Sequence, residues 1–138
     1  MTPEQIRLVQ QNFEALKPAA DEAMATFYRR LFVLAPDVRP LFRADIRSQE
    51  RKLAEALTAV VDMLSSLQLI LPDIEALAKR HVAYGVRERH YRAAGEALLF
   101  TLEVHLGEDF TPQVRKAWQS AYAVLSDIMI AGAEYRAA

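Results

Sequence analysis

Apolar residues in this chain recur at intervals of three and four from one end to the other. Nowhere do they alternate with polar residues over the run that a half-buried strand needs. With only four glycines among 138 residues, that spacing predicts an all-α fold of amphipathic helices. Thr2, Pro3 and Gln5 make a helix start of the capping-box type, and Ile6, Val9, Phe13 and Leu16 then form a stripe that Pro18 interrupts. Ala20, Met24, Phe27, Tyr28 and Leu31 form the inward face of a second helix, which Pro36 stops. In "APDVRPLFRADIRS", residues 35 to 48, two prolines four apart exclude one long helix and predict a short helical turn and a connection carrying Phe42. From Ser48 as N-cap, Gln49, Leu53, Leu57, Val60, Val61 and Leu64 trace one face of a third helix, whose first inward position is polar.

Pro72 and Asp73 open a fourth helix with Ile74, Leu77, Ala78 and His81 on a single face before Gly85 ends it. A fifth runs from about Glu88 to Gly107 with Tyr91, Ala94, Leu98 and Leu102 inward, and Thr111 with Pro112 starts a sixth carrying Val114, Trp118, Ala121, Leu125 and Ile128. No internal repeat, low-complexity segment or linker breaks the pattern, so residues 1–138 read as one domain.

Composition removes several functions. A formal net charge of -1 without a Lys/Arg-rich window leaves no electrostatic footprint for nucleic acid. The absence of cysteine excludes disulfides, thiolate catalysis, iron–sulfur clusters and covalent haem attachment through C-x-x-C-H, so any metal is held by His, carboxylate, Tyr or Met. The N-terminus lacks the basic start and apolar run of a signal peptide, and no apolar run approaches a membrane span, which predicts a soluble cytoplasmic protein. No H-E-x-x-H, P-loop, G-x-G-x-x-G or G-x-S-x-G is present. Met24, Met63 and Met129 fall on helical faces as core filler.

What remains is polar chemistry on inward faces. A lone histidine on an apolar face is most often a hydrogen-bonded core residue, but a neutral imidazole at His81 is also what a b-type haem needs on its proximal side. Tyr28 and Gln49 are the other inward polar residues, each with an ordinary reading as a satisfied core aromatic or a first-turn surface residue. Together they suggest a polar roof. A phenol and an amide donating to a partly negative bound gas contribute about 1 to 2 kcal/mol each.

At these residues the chain resembles the globins, most closely the bacterial single-domain globins and the haem domains of flavohaemoglobins. The similarity runs through "FYRRLF" (27 to 32), "RPLF" (39 to 42), "SQERKL" (48 to 53), "RHVAYGVRERHY" (80 to 91) and "AWQSAY" (117 to 122). It implies a globin fold of about six main helices and a short helix around one haem b. His81 becomes the proximal iron ligand, Tyr28 and Gln49 the distal pair, Phe42 the aromatic on the haem face and Leu53 the aliphatic wall beside bound gas. It further implies that Tyr91, with a glutamate of the last helix, supports the imidazole. Counted from Trp118, that glutamate position falls on Ala133 with Glu134 beside it, and one residue of displacement turns a side chain by about 100°.

Lys52 and Arg80 are candidates for pairing with haem propionates, though each is equally readable as a solvated charge. Tyr84 reads as a helix-end aromatic, His90 as a capping or exposed imidazole in the loop before the fifth helix, and His105 as a residue facing a helix C-terminus. Three functions follow. The first is a five-coordinate haem protein binding O2, NO or CO as a monomer or weak dimer. The second is a nitric oxide dioxygenase served by a separate flavin reductase. The third is a haem-based gas sensor acting through a partner.

Overall fold

The computed structural model describes residues 1–42 and 45–133, which form six α-helices and no strand. α1 (Pro3–Leu16) begins as its capping box dictates: the Thr2 hydroxyl accepts from the Gln5 amide, and Gln5 Oε1 accepts from the Thr2 amide. A 3-10 turn, Lys17–Ala19, absorbs Pro18 and leads into α2 (Ala20–Leu34). The expected short helix is a 3-10 segment, Pro36–Leu41, after which Phe42 is extended. α3 (Ile46–Asp62), a 3-10 stretch Leu64–Leu69, α4 (Leu71–Tyr84), α5 (Glu88–Leu106), a turn Gly107–Asp109 and α6 (Pro112–Ala133) follow.

One helix start differs from the sequence reading, and so does the place of one histidine. Asp45, not Ser48, caps α3, its carboxylate accepting from the Arg47 amide at 3.4 Å. Ser48 therefore lies within the first turn, because a carboxylate at a helix N-terminus gains from the dipole as well as from the cap. His90 is not in a loop. It is buried in the first turn of α5, and its Nδ1 accepts from the Arg87 amide at 2.9 Å, so the capping half of its expectation holds and the exposed half does not. Thr111 does start α6, with its hydroxyl accepting from the Val114 amide. Gly85 ends α4 at φ +99°, a left-handed conformation that a side chain would strain, while the Val86 amide bonds back to the His81 carbonyl.

α2 packs across α5 and on α3, while α1 and α4 both lie on α6. Trp118 locks α6 to α1: its indole N–H donates to Asn12 Oδ1 at 2.9 Å, and its ring packs beside Phe13. Gln10 Nε2 donates to the Val61 carbonyl and ties α1 to the end of α3.

The buried apolar residues fall into two clusters. The larger joins α1, α2, α5 and α6 and includes Met24, Tyr28 and Trp118. The smaller is Ile74 and Ala78 of α4 with Tyr91 and Met129. Leu67 packs against both. α3 and α4 make no extensive contact with each other among the described residues. The apolar face of α3 is correspondingly incomplete in its burial: Val61 is buried, whereas Leu53, Leu57 and Val60 are half-buried. A main core with a smaller satellite cluster is the ordinary arrangement in a domain.

Candidate functional site

His81 belongs to the last turn of α4, and its Nδ1 lies 2.8 Å from the carbonyl oxygen of Leu77 one turn earlier. A carbonyl can only accept, so Nδ1 carries the proton and the neutral ring keeps its lone pair on Nε2. Burial lowers the imidazole's proton affinity below the ordinary histidine value, and the nearby Arg80 charge acts in the same direction, against the Leu77 carbonyl. A half-buried neutral imidazole, with its rotation fixed through Nδ1, is the donor that a metal seeks.

Tyr28 stands in the middle of α2, buried among aromatic rings. Phe27 and Phe42 meet it edge-on at centroid distances of 5.1 and 5.3 Å, and Phe32 lies at 5.9 Å. Desolvation pushes its hydroxyl up to about 12, and the nearby Gln49 side chain acts in the opposite direction. The structure thus brings Tyr28, Gln49 and Phe42 together from three separate segments. Gln49 ends the first turn of α3, where its amide N–H bonds the Asp45 carbonyl at 3.2 Å. Leu53 follows one turn later, so the two share a face. Lys52 is exposed, as is Arg80.

Tyr91 is buried on α5 in the same cluster as Ala78 of the helix that carries His81. Its backbone carbonyl accepts a short bond from the Tyr122 hydroxyl, itself pushed upward in pKa by burial and by Tyr91. Glu134, the residue weighed as its partner, lies outside the described residues. Tyr84 is exposed, its ring 6.4 Å from that of His81. His105 reaches α2, its Nε2 2.9 Å from the Thr26 hydroxyl, whose own proton goes to the Glu22 carbonyl. Met24 and Met129 are core residues, as expected, whereas Met63, just past the end of α3, is only half-buried.

An open cleft of about 900 Å³ lies between the start of α5 and α6, lined by residues including Arg87, Arg92, Tyr91 and Tyr122. His81, Tyr28 and Gln49 take no part in it. Asp37, which pairs with His90 and Arg89, is a polar anchor that sequence reading missed. The only local signal was a proline–aspartate pair at a helical start.

The described helices thus carry a half-buried imidazole on α4 and a buried phenol on α2 with the Gln49 amide of α3 nearby. The globin family model matches residues 25–129, and the chain belongs to the globin family. A flavohemoprotein of Bordetella parapertussis is 32% identical over 133 residues, which are 94% of this chain and 33% of that protein. The flavohemoprotein of Vibrio cholerae is 27% identical over 133 residues, 94% of this chain and 34% of its own length. The chain therefore spans about a third of the length of these curated relatives. Among solved structures, an engineered carbene transferase built on a candidate nitric oxide dioxygenase of Rhodothermus marinus superposes with a TM-score of 0.87 at 28% identity, covering 96% of this chain and 93% of that one. A bacterial globin from Campylobacter jejuni gives 0.85 at 25% identity and covers 99% of both chains. Membership of the globin family implies haem binding.

Proposed function

We propose that this chain is a haem b globin unit that binds dioxygen, and also NO and CO, with His81 as the proximal iron ligand. One observation carries the reading: the Leu77 carbonyl holds the His81 Nδ1 proton and thereby leaves Nε2 as the lone-pair nitrogen. The residues around it fit a porphyrin. The half-buried apolar face of α3 and the lack of extensive contact between α3 and α4 among the described residues together leave apolar surface for a large flat group. Haem held there would supply an iron that binds a diatomic gas. His81 Nε2 would hold the iron, and the Leu77 carbonyl fixes the ring's rotation. The Tyr28 hydroxyl and the Gln49 amide would donate hydrogen bonds to the gas. Phe42 would pack on the haem, Leu53 would wall the gas site, Lys52 would pair with a propionate, and Tyr91 would support the imidazole. None of these roles requires a protein-side proton transfer.

The test is chemical rescue. His81→Gly should lose stable haem binding and regain it with added imidazole, which replaces the missing ligand. Wild-type affinity in the glycine variant without imidazole would refute the assignment.

The likeness to a candidate nitric oxide dioxygenase favours one second reading: conversion of nitric oxide and dioxygen, with one electron, to nitrate. That balance needs an electron donor, here a separate flavin reductase. Many turnovers per haem with a reductase present would establish this reading, and arrest after one would leave gas binding alone.

A further inference from the structure

The 3-10 segment Pro36–Leu41 meets both sides of the candidate site, and gas binding as described above uses none of its polar contacts. At its start, Asp37 Oδ2 is 2.9 Å from His90 Nε2 and also accepts from the Arg89 guanidinium. At its end, Leu41 packs so closely on Gly85, the residue terminating the His81 helix, that a Cβ there would lie 3.1 Å from Leu41 Cδ2. The next residue, Phe42, sits edge-on to Tyr28. The segment therefore runs from the α4–α5 corner to the distal aromatic group within seven residues.

His90 is only 6% exposed, and both of its ring nitrogens are committed. Nδ1 accepts from the Arg87 amide, so in the neutral ring Nε2 carries the proton and donates it to Asp37. Any rotation of the ring breaks two hydrogen bonds in a buried place, which makes His90 a rigid post. Asp37, with one oxygen serving both His90 and Arg89, is the hook on that post.

We infer that Asp37 and His90 form a clamp that couples the corner after the His81 helix to the position of Phe42 against Tyr28, making both of them positioning residues for bound gas. The inference rests on the haem reading. A merely structural pair would hold the first turn of α5 and leave the distal group where it is.

Asp37→Ala and Asp37→Asn distinguish these cases, because the asparagine keeps an oxygen for His90 Nε2–H. In the haem-free protein, the Val38 and Phe42 amides, which bond to the Ala35 and Arg39 carbonyls, should exchange about tenfold faster in the alanine variant. In the ferrous carbon monoxide complex, that variant should shift or broaden the C–O stretch and change gas release about threefold, at unchanged hemin stoichiometry. Asparagine should restore most of both effects. An unmoved C–O band and unchanged amide exchange in Asp37→Ala, even with a lowered Tm, would overturn the clamp, as would failure of asparagine to rescue. Wild-type protein that takes up no hemin would instead refute the haem reading, and the exchange result would then decide the clamp alone.

Discussion

At the scale of one residue, Tyr28 is where the proposed gas binding is most directly testable. Its hydroxyl is buried, lies near Gln49 and is pushed up to about 12, so its proton stays available for donation throughout the neutral range. Tyr28→Phe should speed oxygen release about tenfold, the equivalent of about 1.4 kcal/mol, and an unaltered off-rate in stopped flow would remove the hydroxyl from the mechanism. The wild-type off-rate should stay flat up to the ordinary tyrosine value of 10.0, and a rise centred there would contradict the burial. The sign for stability follows: a phenol that ionises more readily in the unfolded chain costs the fold stability as pH rises from 10.0 toward about 12. His81 was legible in the sequence because it is the one imidazole among Ile74, Leu77 and Ala78 on a single face. The Leu77 bond that sets its tautomer follows from helical spacing only once the rotamer is known. His90 and Asp37 were not legible as a pair, since 53 residues separate them and neither lies on an apolar stripe.

Between elements, α5 and α6 approach closely at Gly95. A methyl group added at Gly95 would lie 2.7 Å from Tyr122 Cε2, and the ring cannot swing aside without losing its hydroxyl bond to the Tyr91 carbonyl. Gly95→Ala should therefore destabilise the protein by about 1 to 3 kcal/mol despite alanine's better helix propensity, read as a lower denaturant midpoint. Stability at or above wild type would show that the two helices separate freely. The six helices themselves were readable from apolar spacing, and the stops at Pro36 and Gly85 from residue chemistry. The start of α3 was not, because Ser48 and Asp45 both offer side-chain caps and only the chain's path through the preceding segment chooses between them. Asn12 escaped for a different reason: its partner Trp118 is 106 residues away, and nothing local marks an asparagine as buried.

Across the whole molecule, the apolar face of α3 stays half-buried, and α3 makes no extensive contact with α4 among the described residues. Stripes in the sequence identify which residues turn inward but not which of them lack a facing neighbour, so the half-buried face of α3 emerges only when the helices are assembled. The family match and the structural likenesses concern this same helical unit, while the curated relatives are about three times its length. No described helix is long and apolar enough to cross a membrane. Titration of the haem-free protein with hemin, followed by reduction and carbon monoxide, tests cofactor, ligation and open site together. A Soret band that saturates at one hemin per chain and moves to the position of an imidazole-ligated ferrous carbon monoxide complex is the predicted result. A spectrum indistinguishable from free hemin at every ratio would contradict it.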